Sequence, residues 1–268
     1  MTTIEALILG LVQGITEFLP VSSSAHLSLL QKIFGLQAQA FEFEILLHAA
    51  TLLALIIYFR KFIWQTGYNL LKGDAKSRKS SRNIVITLLI AFLPLLPFYL
   101  IFKNLVDYTQ SFSILTGILL IIFGIPLIFI ESRYSRNTQT LPDLSGKSAL
   151  TIGLAQCLAL FSGVSRSGIS IITGLIRGLD LKSAKEFAFL LSIPTIGASF
   201  AMELLTIFKS HSVLDFNANI ILGTVAAFGS GLLALKYLFT LMKPGTLKYF
   251  GWYRIILGLV LIIWVGTL

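Results

Sequence analysis

The feature that most constrains this chain is a set of long apolar blocks that almost no charge interrupts. Leu47–Phe59, Ile84–Phe102, Ile114–Ile130, Ala218–Phe239 and Ile255–Leu268 together contain a single Lys, Arg, Asp or Glu, Lys236. About 20 apolar residues suffice to cross the hydrocarbon of a bilayer as a helix. Across the 268 residues, 56% are hydrophobic and 12% charged, and the mean hydropathy is +0.87. A soluble domain carries about 25% charged residues. The chain therefore belongs in a membrane, and a soluble protein with an oversized core is excluded.

Six full spans are expected, near residues 46–64, 84–104, 112–131, 185–208, 217–240 and 251–268. Two further apolar segments, 4–34 and 148–179, are interrupted at their centres by Pro20 with three serines and by Ser162-Gly163. Neither unbroken half is long enough to cross, so each segment reads as a helix that enters, breaks and leaves on its own side. The expected fold is an all-α integral membrane protein, a single membrane domain over 1–268, with six transmembrane helices and two re-entrant helix-loop-helix segments. The start "MTTIEALILG" lacks the basic region of a signal peptide, so the first segment is expected to be retained as structure.

Charge placement orients this arrangement. With the first full span running from outside to inside, seventeen Lys and Arg residues collect on one face, Arg60–Arg82, Lys185, Lys248 and Arg254 among them. Only Lys32, Lys103 and Lys209 fall on the other, and Arg166 stays within the second broken segment. This positive-inside bias puts both termini on the outer face. It also accounts for the net charge of +9 without nucleic acid, since the Lys72–Arg82 loop would touch anionic lipid headgroups. The lone Cys157 permits no intrachain disulfide and no cysteine metal site. A homodimer is left open.

The two broken segments are related. An offset of 143 residues pairs Gly10 with Gly153, Gln13 with Gln156, Phe18 with Phe161, Ser22 with Ser165 and Ser24 with Ser167. Repeat 1 (about 1–131) and repeat 2 (about 148–268) would then each hold one re-entrant hairpin and three spans. An odd number of spans per half inverts the halves in the membrane, the architecture of many transporters. The pairing also diverges: Glu17 meets Leu160, Ser23 meets Arg166 and His26 meets Ile169. Acid, hydroxyl and imidazole from one half with a cation from the other favour an enzyme over a symmetric transport site.

Pro20 should end the first half-helix at Leu19. Ser22, Ser23 and Ser24 are candidate caps for a second half-helix starting near Ala25. Ser165, Arg166, Ser167 and Gly168 hold the same place in the second repeat. Two helix N-termini, several hydroxyls and a guanidinium would suit a phosphate. Glu17, a carboxylate at membrane depth, shares a helix face with Gln13, and the two oxygens could hold magnesium or calcium. Pairing of Glu17 with Arg166 is the structural reading of the same residues. His26 is a candidate base for Ser23, a nucleophile itself, or an acid for the leaving group. His48, which pairs with Ser192, is read as a structural hydrogen-bonder, and Glu42 and Glu44 as outer-mouth or solvated residues.

"QGITEFLPVSSSAH" resembles the (E/Q)xxxE and PVSSxxH signature of bacterial undecaprenyl-diphosphate phosphatases, the bacitracin-resistance family. "SGVSRSG" is similar to that family's PGxSRSG motif, and "EFAFLLSIPT" to the sequence that follows it. The resemblance covers essentially the whole chain. It implies hydrolysis of undecaprenyl diphosphate to undecaprenyl phosphate and inorganic phosphate for cell-wall synthesis. It further implies a divalent cation, an inverted-repeat fold in the bacterial plasma membrane and a site open to the outer face. The matched residues are Gln13, Glu17, Ser22, Ser23, His26, Ser165, Arg166 and Ser167. The chain departs from the pattern at Gln13, the neutral option, at Ser162 in place of proline, and at Ser24-Ala25 in place of Thr-Gly. The rival from another class is a secondary transporter or flippase for a phosphorylated lipid or solute; a non-catalytic lipid-binding protein is weaker.

Overall fold

The computed structural model describes residues 1–36, 40–110, 113–210 and 217–266, and among them the chain forms eleven α-helices and no β-strand. In order they are α1 (Thr3–Phe18), α2 (Ser23–Phe34), α3 (Ala40–Lys72), α4 (Ala75–Phe92), α5 (Leu95–Gln110), α6 (Ile114–Tyr134), α7 (Gly146–Cys157), α8 (Arg166–Ile176), α9 (Leu181–Ser210), α10 (Ala218–Leu241) and α11 (Leu247–Gly266). Residue 112 and residues 267–268 of the expected spans lie outside the described residues. Six segments are long and apolar enough to cross a membrane: Phe43–Lys72, Ala75–Val106, Ile114–Tyr134, Leu181–Ile207, Ala218–Thr240 and Leu247–Val265. Their outer surface is apolar: Leu100, Ile101, Phe129, Ile256 and Ile263 are each at least 60% exposed. In a bilayer those side chains face lipid. The protein is a multi-pass, all-helical membrane protein.

The span expected at 84–104 is two helices. Pro94 has no amide proton to continue the ladder, and the chain turns at Leu93–Pro94 between α4 and α5. The spans also begin and end several residues beyond the apolar blocks, because polar residues such as those of Ala75–Asn83 extend helices past the hydrophobic stretch.

Two pairings dominate the packing, α1 against α10 and α6 against α11. Between helices in lipid, small residues let backbones approach and dispersion does the rest. At the α1–α10 crossing, a Cβ on Gly10 would lie 2.0 Å from the Gly223 carbonyl oxygen, so only glycine fits. The largest buried cluster draws on both halves of the chain: Phe18, Leu55, Phe59 and Leu127 pack with Ile171, Phe187, Phe189 and Leu235.

Hydrogen bonds sort the helix ends into two groups. Asn219 at the start of α10 donates to the Met1 carbonyl and accepts from Thr3, and Gln31 near the end of α2 donates to Glu44 near the start of α3. At the opposite ends, Asn83 donates to the Pro142 and Leu144 carbonyls, Asn137 to those of Leu175 and Leu179, and Lys185 to that of Met242. Two basic residues counted on the positively charged face, each at the end of an expected span, are buried. Lys185 is 4% exposed in α9 and Arg254 1% exposed in α11. Charge counting treats every Lys and Arg near a span end as solvated and cannot distinguish a buried one.

Candidate active site

Both broken segments form as pairs of short helices, α1 with α2 and α7 with α8, and their breaks touch. Phe18 ends α1, and Leu19 takes an extended conformation (φ −69°, ψ 147°) ahead of Pro20. The helix α2 starts at Ser23, earlier than the expected start near Ala25. Ser22 holds the N-cap position but does not cap, since its side chain makes no bond to the first turn. Its Oγ instead accepts the Gly163 N–H at 3.2 Å from the other break, and pairs with Ser24 Oγ at 3.2 Å. Ser22 also has φ +71°, the one positive φ outside glycine among the described residues. Such a backbone costs about 1–3 kcal/mol and persists where surrounding contacts impose it.

In the second break, Gly163 (φ +97°) makes the turn that follows Ser162. Ser165 is the true cap of α8, accepting the Gly168 N–H at 3.2 Å. Two further contacts join the breaks. Ser162 Oγ donates to Ser24 Oγ at 3.4 Å, and Ser167 Oγ donates to the Leu19 carbonyl at 3.1 Å while lying 3.1 Å from Ser165 Oγ. Ser22, Ser165 and Ser167 are each 3% exposed or less.

Glu17 stands at the centre of the polar groups. Its Oε2 accepts from Ser23 Oγ at 2.6 Å and from Gln13 Nε2 at 3.1 Å, and its Oε1 accepts from Arg166 Nη1 at 3.2 Å. The Glu17 side chain is 5% exposed and that of Arg166 24%. The structural pairing of Glu17 with Arg166 therefore exists, and it brings Ser23 and the guanidinium onto one carboxylate. Gln13 Oε1 is buried and has no hydrogen-bond partner.

That unpartnered oxygen decides how a divalent cation fits. Among the described residues, no group of three or more His, Cys, Asp and Glu side chains could hold a metal alone. A cation here would take oxygen from Gln13 and Glu17 and complete its shell with phosphate and water. Magnesium binds in that way, with one or two carboxylates plus substrate phosphates. The residues fit such an ion.

His26 is not within the Ser23–Glu17–Arg166 group. Its Nδ1 lies 2.7 Å from the Ser22 carbonyl and its Nε2 2.6 Å from Tyr253 Oη. A carbonyl only accepts, so Nδ1 carries a proton and donates it there, and Nε2 shares its hydrogen bond with the Tyr253 hydroxyl. Both nitrogens are occupied, and neither faces Ser23. The expectation that His26 is a base for Ser23 depended on closeness in sequence. Ser23 and His26 are three residues apart in α2, but the turn at Ser22 draws the ring back onto its own backbone.

Sequence reasoning missed Tyr253 and Arg254, neighbours in α11. Arg254 donates from Nε to the Leu120 carbonyl at 3.4 Å, from Nη1 to Pro20 at 3.3 Å and from Nη2 to Gly163 at 2.7 Å. The available signal was an arginine inside the expected span 251–268, which is costly at membrane depth and was instead counted only toward the charge of one face. A second polar group contains His48 Nδ1 at 3.5 Å from Glu203 Oε1, linking α3 to α9. Ser192 bonds back to the Ala188 carbonyl at 2.9 Å. The Glu42 side chain lies outside the described residues.

With this geometry in place, comparison with known proteins is specific. The sequence profile of bacitracin resistance protein BacA matches residues 6–260. The undecaprenyl-diphosphatase of Acinetobacter baumannii (strain ATCC 17978) is 36% identical over 264 residues, covering 97% of this chain and 94% of that protein. Those of Caldicellulosiruptor bescii and Neisseria gonorrhoeae (strain FA 1090) are each 34% identical, covering 98% of this chain and 97% and 95% of their own lengths. A profile match over nearly the whole chain, with relatives alike from end to end, establishes that this chain belongs to the BacA family.

Proposed function

We propose that this protein hydrolyses undecaprenyl diphosphate to undecaprenyl phosphate and inorganic phosphate, the activity named for its relatives. The observation that carries the reading is the Ser23–Glu17–Arg166 group, joined at 2.6 and 3.2 Å across two touching helix breaks. Ser23 Oγ attacks the terminal phosphorus and Glu17 takes its proton. The bond from that phosphorus to the bridging oxygen breaks, and undecaprenyl phosphate leaves. The leaving undecaprenyl phosphate carries off the proton held at Glu17; water then attacks the phosphoserine and gives its proton to the freed Glu17, which returns it to Ser23 Oγ as phosphate departs. Arg166 stabilises charge on the equatorial oxygens of the transferred group, the main requirement of phosphoryl transfer. The Arg166 and Ser167 N–H groups at the start of α8 and the Ser24 hydroxyl bind the remaining phosphate oxygens, while Ser22, Ser165, Gly168 and the Ser167 hydroxyl, bonded within and between the breaks, hold these donors in place. Glu17 and Gln13 would hold a magnesium or calcium ion, which would supply Lewis-acid polarisation of the diphosphate.

The same reading takes the two broken segments as re-entrant and the halves as inverted. What supports this is the reciprocity of the contacts under the 143-residue offset. Gly10 of α1 packs on α10 while its counterpart Gly153 of α7 packs on α4, where a Cβ would meet the Ala91 carbonyl oxygen at 2.2 Å. Ser24 meets Ser162 while its counterpart Ser167 meets Leu19. The reading further puts both termini and the site opening on the outer face of the bacterial plasma membrane, which the positive-inside distribution of Lys and Arg supports.

The test is phosphate release from undecaprenyl diphosphate by purified protein in detergent, with and without EDTA. Release by wild type that falls at least 100-fold, to a measurable residual rate, in Glu17→Ala and Arg166→Ala, together with acid-trapped phosphoserine at Ser23, is expected. No release from wild type, or undiminished release from both variants, refutes the enzyme and favours transport.

A further inference from the structure

Arg254 has no part in the steps above, yet it is the largest fully buried side chain among the described residues and it sits where the two breaks meet. It is 1% exposed, and its three hydrogen bonds all go to backbone carbonyls, those of Pro20, Gly163 and Leu120. Among the described residues no carboxylate is paired with it; Glu17, the acid of the centre, bonds Arg166 instead. Arg254 is therefore not one half of a buried salt bridge.

The positions of its partners carry the argument. Pro20 and Gly163 differ by 143, the offset that superimposes the two motifs. The two terminal nitrogens of one planar fork thus grip the equivalent peptide of each break, and Nε ties them to α6 at Leu120. Three residues after Pro20 comes Ser23, and three after Gly163 comes Arg166. Whatever fixes the two carbonyls relative to each other fixes the hydroxyl, and through it the Glu17 bond, relative to the guanidinium. A rigid guanidinium supplies several donors in a fixed plane, which a lysine ammonium or a neutral amide does not.

We propose that Arg254 is a positioning residue for the reaction centre. It clamps the Pro20 and Gly163 carbonyls and so sets the distance between Ser23 with Glu17 on one break and Arg166 on the other. Its kinetic consequences rest on the hydrolysis proposed above; the geometric claim does not.

The Ser24 and Ser162 hydroxyls, 3.4 Å apart and one on each break, report that spacing directly. In a Cys157→Ala background carrying Ser24→Cys and Ser162→Cys, mercuric ion is expected to bridge the pair quickly in isolated membranes. Adding Arg254→Gln is expected to slow bridging at least tenfold, and Arg254→Lys to slow it less. In the otherwise natural chain, Arg254→Gln is expected to lower kcat at least 100-fold with KM changed less than threefold. In the Arg166→Ala background the same change is expected to cost less than tenfold, because the clamp acts through the placement of Arg166. A protein that had merely lost stability would show the full loss in both backgrounds. Unchanged bridging in Arg254→Gln, or an undiminished loss on top of Arg166→Ala, overturns the proposal. Should Arg254→Gln fail to assemble, Arg254→Lys decides by the same readings at smaller amplitude. Absence of hydrolysis by wild type would refute the proposed function, and the bridging rates would still decide the role of Arg254.

Discussion

Replacing Glu17 by glutamine tests the centre with the least disturbance of shape. The carboxylate accepts from Ser23 and Gln13 through one oxygen and from Arg166 through the other, with 5% of the side chain exposed. An amide of the same shape must place an NH2 group at one of these two points. Facing Arg166, that group sets donor against donor. Facing Ser23, it leaves the hydroxyl able only to accept, so its proton has nowhere to go. In either placement Ser23 loses the group that takes its proton. Removal of a positioned general base costs about 10²–10⁴ in rate, or about 2.7–5.4 kcal/mol of barrier at 1.36 kcal/mol per decade. Misplacement of Arg166 adds to this, so kcat/KM is expected to fall about 10³-fold or more. The assay is phosphate release from undecaprenyl diphosphate in detergent at saturating divalent cation, with monodispersity and thermal unfolding checked on the same preparations. A Glu17→Gln protein that is well folded and within tenfold of wild type would refute the reasoning. Glu17 would then be only the structural partner of Arg166, and Ser23 would find its base elsewhere.

Four other outcomes follow from the same geometry. Ser22→Ala removes the acceptor of the buried Gly163 N–H, a loss of about 1–3 kcal/mol that should appear as a lower unfolding temperature in detergent and as reduced kcat. Chelation with EDTA should abolish hydrolysis reversibly. Gln13→Ala, which removes the unpartnered buried oxygen, should shift the cation titration to higher concentration while leaving kcat at saturation closer to wild type than Glu17→Gln does. His26→Asn can still donate to the Ser22 carbonyl in place of Nδ1. It should therefore retain more activity than Ser23→Ala in side-by-side rates, whereas a His26 base or nucleophile requires it to be as inactive.

Much of the fold was legible because membrane insertion reduces the problem to length and hydropathy. Any uncharged block near 20 residues must cross as a helix with its backbone bonded internally. The breaks were legible for a local reason: Pro20 and the Ser162-Gly163 pair act on their own backbones. Glu17 and Gln13 were legible together because four residues along a helix place two side chains on one face. The roles of Ser22 and His26 were not, since each depends on a tertiary partner. Ser22 has the identity and position of a cap, and only the Gly163 N–H arriving from 141 residues away diverts it. His26 is turned from Ser23 by a hydroxyl on α11, 227 residues later.

Arg254 shows most clearly what hydropathy hides. In an apolar span a single arginine near an end reads as a snorkelling or loop residue, because long side chains usually reach water from there. Here the chain breaks itself twice, and the carbonyls at Pro20 and Gly163 accept from a side chain rather than from a helix. Carbonyls without donors in hydrocarbon cost several kcal/mol each. The break that opens a polar site in the bilayer therefore creates the demand for a buried donor, and Arg254 meets it at both breaks at once. By this argument the wish to bind phosphate does not explain Arg254, whereas Arg166, a quarter exposed beside Glu17, has the freedom that phosphate binding needs. Two arginines at one centre thus divide along a physical line: the one bonded only to backbone holds the loops, and the one bonded to the carboxylate faces the substrate.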